Sequence, residues 1–176
     1  MSNYEIQDTL QFAFNAHKNQ FRNDGVTPYI VHPIDVMNRL KGWGIKDLTL
    51  WKAALCHDIL EDTGITEFRL GLVVGEQVAR ICAELTLPKA ADKVAYMNSF
   101  DTKNVEALVV KCADRICNIF DFQKDEPKYA PKYFKKANGL WKAFSQRRFE
   151  VEANFGGGVA TAIEFSIIRF EMLFNE

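Results

Sequence analysis

LTLWKAALCHDILEDT, residues 48–63, joins an apolar run of helical composition to a group of ionisable side chains. Asp47 precedes the run and can cap a helix, because a carboxylate oxygen accepts hydrogen bonds from backbone N–H groups of the first turn. The apolar run is long enough for several helical turns, and it contains no glycine or proline before the acidic residues that follow it. This stretch therefore predicts one helix that runs into the acidic end.

Four ionisable side chains crowd the end of that predicted helix. His57 would stack on Glu61, and Asp58 on Asp62, because residues four apart are neighbours on a helix surface. Such a cluster repels itself unless a cation or an unusual protonation state compensates. We therefore take these side chains as candidates for metal binding or catalysis.

The rest of the chain repeats the helical pattern. The period predicts further helices near residues 4–19, 33–42, 67–74, 75–85, 90–100, 104–122, 131–149 and 160–174. The glycines at 156–158 predict a flexible joint before the last helix, and few segments alternate strictly enough to form strands. We predict an all-α fold of about eight to ten helices, in one domain over residues 1–176.

Composition excludes several classes of function. The net charge of −1 leaves no overall electrostatic footprint for nucleic acid or an anionic membrane. No apolar stretch approaches the roughly 20 residues that span a bilayer, and the first residues do not resemble a signal peptide. We expect a cytoplasmic protein whose four cysteines are buried thiols. The segment after about residue 140 either packs on the core or forms a homo-oligomer contact.

A second acidic position lies in the run VVKCADRICNI, residues 109–119. Lys111, Asp114 and Asn118 share one helix face, while apolar residues cover another. An acid that interrupts so apolar a helix needs a partner. Arg115 can serve as that partner, or Asp114 can bind a metal.

Together these motifs resemble a known family. YxxHP (residues 29–33), HDxxEDT (57–63) and KxADRxxN (111–118) follow in the order of the HD superfamily of metal-dependent phosphohydrolases. Within it, the chain is most similar to the hydrolase domain of RelA/SpoT proteins and to small alarmone hydrolases. AHKNQFR (16–22) resembles their AHxGQxR. The resemblance covers residues 16–118 and leaves about 131–176 as a helical extension.

The resemblance implies an HD-domain helical bundle and a set of roles for individual residues. The metal ligands, typically around Mn²⁺ although another divalent metal is possible, fall on His32, His57, Asp58 and Asp114. The residues that position and activate water fall on Glu61 and Asp62. Substrate contacts are expected from Arg22, Asn118 and Lys111. Two imidazoles and two carboxylates suit a divalent ion that leaves positions for water and a phosphate oxygen.

The implied reaction removes pyrophosphate from the 3′ position of guanosine tetra- or pentaphosphate, so the expected partner is a small phosphorylated nucleotide. One alternative is another HD phosphohydrolase that acts on a nucleoside monophosphate, a deoxynucleotide or the 2′-phosphate of NADPH. HDxxED favours the first reaction, whereas Asn23 and the short segment 84–93 depart from the alarmone hydrolases. A non-catalytic interaction module predicts a decayed ligand set, and every ligand is intact.

Overall fold

The computed structural model describes residues 2–174, and these fold into α-helices joined by short loops. The helices are α1 (Ser2–Ala16), α2 (Val31–Gly42), α3 (Leu48–Cys56), α4 (Ile59–Asp62), α5 (Glu67–Val74), α6 (Glu76–Leu85), α7 (Lys93–Asn98), α8 (Val105–Asp125), α9 (Ala130–Lys135), α10 (Asn138–Gln146), α11 (Arg148–Phe155) and α12 (Gly157–Phe174). A 3₁₀ turn, Ser99–Asp101, follows α7. The all-α prediction is confirmed.

The longest helix, α8, lies at the centre of the bundle. It packs against α2, α3, α6, α9, α10 and α12. Its interior is apolar except for Lys111 and Asp114, which are also buried. Because buried ionisable groups need partners, the helices around α8 have to supply them. Asp47 caps α3 as predicted, since its Oδ1 accepts the Thr49 N–H at 2.7 Å.

The helix predicted to run through the acidic cluster is interrupted. α3 ends at Cys56 and α4 begins at Ile59, so the intervening His57 and Asp58 form a turn. The His57 Nδ1–H donates to the Ala54 carbonyl at 2.8 Å. That carbonyl would accept the N–H of residue 58 in a continuing helix. The prediction of one continuous helix was therefore wrong at this point, because a side chain competes with the backbone for the acceptor.

The helix predicted over residues 131–149 is also divided, between α9, α10 and the start of α11. The Phe134 carbonyl accepts the indole N–H of Trp141 at 3.2 Å and the Ala137 N–H at 3.0 Å. α10 then approaches α7 so closely that a Cβ on Gly139 would lie 2.9 Å from the Asn98 nitrogen. The described residues consequently form twelve α-helices, more than the eight to ten expected.

The glycine joint is shorter than predicted. Gly156 ends α11 with a φ of +93°, a conformation that L-residues with a side chain rarely adopt. α12 then begins at Gly157 and includes Gly158, so the predicted flexible joint is one residue rather than three. The reversal at Gly156 lays α12 against α11 and α8.

Two predictions from composition can be compared with the structure. All four cysteines, Cys56, Cys82, Cys112 and Cys117, are buried and free, as expected. Among residues 2–174, no helix combines the length and the apolar character needed to cross a membrane.

Candidate metal centre

Three parts of the chain bring the four predicted metal ligands together. His32 comes from α2, His57 and Asp58 come from the turn between α3 and α4, and Asp114 comes from α8. The His32 Nε2 lies 3.1 Å from the Asp114 Oδ1 and 4.0 Å from the Asp58 Oδ2. The His57 Nε2 lies 2.8 Å from the Asp58 Oδ2 and 3.7 Å from the Asp114 Oδ1. Residues up to 82 positions apart thus form one compact cluster.

The orientation of His57 suits metal binding. Its Nδ1–H donates to the Ala54 carbonyl, so in the neutral ring the lone pair is on Nε2. That Nε2 is buried and faces the two carboxylates, 2.8 Å from the Asp58 Oδ2 and 3.7 Å from the Asp114 Oδ1. One donor atom from each of His32, His57 and Asp58 lies within 4.8 Å of the other two. The cluster can therefore bind a metal ion.

Electrostatics indicate that the cluster needs positive charge. Burial lowers the pKa of His57, but Asp58 and Asp114 outweigh burial and raise that pKa to about 10. Burial raises the pKa of both carboxyl groups, but His57 beside Asp58 and Lys111 beside Asp114 outweigh it and hold them below their usual range. These two carboxylates, of which Asp114 is buried and Asp58 partly buried, therefore require a cation between them, which a protonated imidazole or a metal ion can supply.

Lys111 is the direct ionic partner of Asp114. Its Nζ lies 2.8 Å from the Asp114 Oδ2, and both side chains are buried. The alternative partner, Arg115, instead lies over the ring of Tyr133, 4.7 Å from the ring centroid. Asp114 thus presents one oxygen to Lys111 and the other to the histidines.

The two other predicted substrate contacts form a chain that leads from the cluster to the surface. The Asn118 Nδ2 donates to the Asp114 Oδ1 at 2.5 Å. The Arg22 Nη2 donates to the Asn118 Oδ1 at 2.8 Å and to the Asp121 Oδ2 at 2.7 Å. Arg22 therefore enters the cluster's hydrogen-bond network through Asn118.

A cleft opens beside His32, and Arg22 lies on its wall. Most of the ionisable side chains that line it are acidic: Asp24, Asp35, Asp121, Asp125 and Glu126, against Arg22 and Lys124. The acidic side chains attract cations, whereas Arg22 and Lys124 supply positive charge for a phosphate.

The predicted catalytic pair lies at the exposed end of the cluster, on α4. The Glu61 Oε2 accepts the Leu87 N–H at 2.9 Å. The Asp62 carbonyl accepts from the Gln20 side chain at 3.0 Å. Desolvation raises the pKa of both Glu61 and Asp62. A raised pKa makes a carboxylate a better proton acceptor near neutral pH.

Tyr29, the first residue of the YxxHP motif, contacts the cluster directly. Its hydroxyl donates to the Asp58 Oδ2 at 2.6 Å. Burial, together with the charge of Asp58, raises the pKa of Tyr29, which keeps the phenol neutral and able to donate. The signal was present in YxxHP, but it did not say which carboxylate the hydroxyl would reach.

Two residues that precede Tyr29 in the sequence, His17 and Gln20, contact it within the structure. The buried His17 ring lies 4.8 Å from the Tyr29 ring, and its Nδ1 hydrogen-bonds the Gln20 Oε1 at 2.7 Å. Gln20 also accepts the Tyr29 N–H at its backbone carbonyl, at 2.9 Å. His17 therefore packs behind Tyr29 and is not one of the four proposed ligands.

Comparison with known proteins gives relatives for the chain. It is 38% identical over 128 residues to the guanosine-3′,5′-bis(diphosphate) 3′-pyrophosphohydrolase MESH1 of Danio rerio, a match that covers 69% of this chain and 71% of the relative. The Homo sapiens MESH1 is 36% identical over 129 residues, covering 70% and 72%. No family model matches the chain.

The fold has a solved counterpart. A structure described as a metazoan ortholog of SpoT that hydrolyzes ppGpp superposes with a TM-score of 0.74 and covers 94% of each chain. The two sequences are 22% identical, so this likeness extends to the fold alone.

The Lys111–Asp114 pair can be tested through stability. We expect Lys111→Met, measured in EDTA, to lower the free energy of unfolding by about 3 kcal/mol, because it leaves a buried carboxylate without its ammonium partner. Urea denaturation followed by circular dichroism measures this. Lys142→Met, at an exposed position, is the matched control and should change stability by less than about 0.5 kcal/mol. If both substitutions change the free energy of unfolding by the same small amount, Lys111 is not the stabilising partner of Asp114.

Proposed function

The chain belongs to the MESH1 family of guanosine-3′,5′-bis(diphosphate) 3′-pyrophosphohydrolases, which are HD-domain proteins, and we propose that it removes pyrophosphate from the 3′ position of guanosine tetra- or pentaphosphate. The observation that carries the proposal is the meeting of two imidazoles and two carboxylates from distant parts of the chain. We propose that residues 1–176 act as one domain on this small nucleotide, in the cytoplasm.

His32, His57, Asp58 and Asp114 are the proposed ligands of the divalent cation. The buried Nε2 of His57 and the two carboxylates beside it support this assignment, because they form a site of nitrogen and oxygen donors with excess negative charge. Mn²⁺ is the proposed ion, since imidazole together with carboxylate suits it. When bound, such an ion lowers the pKa of a water molecule and polarises a phosphate oxygen.

Glu61 and Asp62 are proposed to orient the attacking water and to accept its proton. Their raised pKa values support proton transfer near neutral pH. The Leu87 N–H holds one oxygen of Glu61, which restricts rotation of that carboxylate. Asp62 is anchored through its backbone carbonyl by Gln20, so its side chain is not needed for that contact.

The phosphate groups of the substrate are proposed to interact with three residues, Arg22, Asn118 and Lys111. Arg22 has five N–H donors, and the contacts to Asn118 and Asp121 come from one of its nitrogens. Its other N–H donors can bind a phosphate oxygen. Asn118 fixes the position of the guanidinium relative to Asp114, because it hydrogen-bonds to both side chains. Lys111, held on Asp114, adds positive charge that offsets the charge of the leaving pyrophosphate.

The central experiment measures pyrophosphate release from guanosine tetraphosphate by the purified full chain with Mn²⁺. We expect turnover in the wild type, loss of it with EDTA, and at least about a 100-fold decrease in kcat for Asp58→Asn. Asp8→Asn, at an exposed position on α1, is the control and should keep full activity. Release of orthophosphate from mononucleotides or NADPH, without pyrophosphate from this substrate, would refute the proposed substrate.

The proposed role of Glu61 in proton transfer can be tested separately from metal binding. We expect Glu61→Gln to decrease kcat about 100-fold, because the amide cannot accept a proton, while the affinity for Mn²⁺ stays unchanged. Titration calorimetry measures the affinity. Glu67→Gln, at another exposed glutamate close by in the sequence, should leave both quantities unchanged. A matching loss of metal affinity in Glu61→Gln would mean that Glu61 acts as a ligand instead.

Tyr29 is expected to orient Asp58. Tyr29→Phe removes only the hydroxyl that donates to the Asp58 Oδ2, and we expect the affinity for Mn²⁺ to fall about tenfold, as for other partners of metal ligands. Titration of the protein with Mn²⁺, followed by electron paramagnetic resonance, measures the change. The exposed Tyr4→Phe is the control. If both variants bind Mn²⁺ like the wild type, the hydroxyl has no such role.

A further inference from the structure

α12 is apolar on two opposite faces. One face packs on the bundle through Val159, Ala160, Ile163, Ile167 and Phe170, which are buried. The other points outward, where Phe165 is 67% exposed, Met172 68% and Ile168 39%. An apolar face of a helix is normally covered by another part of the protein or by a partner. In this structure the outward face of α12 has no cover among residues 2–174.

The outward residues follow a heptad spacing. Phe165, Ile168 and Met172 are separated by three and then four residues, the pattern of positions a, d and a in a coiled coil. Ile168 borders a groove on either side of the helix, so the row stands out as a ridge. The spacing therefore fits the side of another helix rather than a flat surface or a small ligand.

Charged residues flank the ridge with opposite signs. In the same heptad frame Glu164 and Glu171 occupy positions g, and Arg169 occupies position e. In a parallel pair of helices, position g of one chain faces position e of the other, five residues further on. Two copies of α12 therefore place Glu164 opposite the partner's Arg169, twice by symmetry. An antiparallel pair would instead place glutamate against glutamate.

Both charged residues are available for this pairing. Glu164 contacts Arg148 at 3.3 Å within the chain, yet 44% of its side chain is exposed. Arg169 is exposed, and its guanidinium lies 5.4 Å from the ring centroid of Phe120. A guanidinium in this position keeps its N–H donors free for a carboxylate.

The exposed apolar area matches what a dimer needs. Phe165, Ile168, Met172 and the neighbouring Leu173 together expose on the order of 400 Å², taking about 200 Å² for each full side chain. Apolar atoms make up about 60% of typical interfaces, so the whole contact would bury about 700 Å² on each partner. That lies close to the roughly 800 Å² of a standard interface.

We propose that the chain forms a symmetric dimer in which α12 packs in parallel against α12 of a second copy. Phe165, Ile168 and Met172 form the seam, and Glu164 pairs with the partner's Arg169. The dimer is separate from the metal cluster, because the seam residues are exposed on α12, whereas the four proposed ligands lie on α2, α8 and the turn between α3 and α4. Loss of the dimer and loss of the hydrolase activity are therefore independent results.

Analytical ultracentrifugation of the full chain between about 1 and 100 µM tests the seam. We expect twice the chain mass for the wild type, and a monomer throughout this range for Phe165→Glu and for Met172→Glu. Phe68→Glu, at a 77% exposed position on α5, is the matched control and should remain a dimer. Circular dichroism checks that each variant is folded. A monomeric wild type, or an equal effect of Phe68→Glu, would overturn the proposal.

The charge pairs provide a second test. We expect Glu164→Lys and Arg169→Glu each to raise the dimer Kd about tenfold, because each replaces two attractions with two repulsions. Mixing the two variants should restore dimerisation, since the introduced lysine of one chain meets the introduced glutamate of the other only in the mixed dimer. Retention of wild-type Kd values by both single variants would exclude the parallel register.

A cross-link distinguishes parallel from antiparallel packing. In the parallel seam Ile168 faces the partner's Ile168, so Ile168→Cys should form a disulfide-linked dimer on mild oxidation. The four native cysteines are buried and give little background. Efficient cross-linking supports the parallel seam, and a dimer that fails to cross-link through this position contradicts it.

Discussion

The burial of Asp114 in the middle of α8 is the constraint on which the rest of the site depends. A carboxylate inside an apolar helix costs several kcal/mol unless it is paired and hydrogen-bonded. Lys111 pairs with one oxygen, while Asn118 and His32 reach the other. Since these groups come from α2 and α8, the carboxylate ties the second helix to the central one. The packing of α2 against α8 therefore also brings His32 to Asp114.

The break between α3 and α4 falls at His57 and Asp58, which both contribute to the cluster. The hydrogen bond from His57 to the Ala54 carbonyl ends α3 and also fixes the imidazole with Nε2 directed at the carboxylates. One contact thus stops the helix and orients the histidine. In the same way, the indole N–H of Trp141 donates to the Phe134 carbonyl at the boundary between α9 and α10.

The helical fold could be predicted from the spacing of apolar residues, whereas the four proposed ligands came from the resemblance of the motifs to the HD family. The contacts of Tyr29 and Lys111 were harder to predict. The hydroxyl of Tyr29 reaches a carboxylate 29 residues away, and Lys111 was assigned to the substrate rather than to the Asp114 oxygen that it contacts. Spacing along one helix says which residues share a face, but not which of their atoms meet across the bundle.

Sequence alone determined the all-α class, the N-cap at Asp47 and the burial of the cysteines, since these follow from apolar periodicity and local hydrogen bonding. The heptad row on α12 was also present in the sequence, but only its exposure separates it from the core-facing row beside it. Tertiary structure decided where the helices break, which oxygen of Asp114 faces the histidines and which face of α12 stays uncovered. The physical reason is that these features depend on competition for buried acceptors and surfaces between segments far apart in the chain.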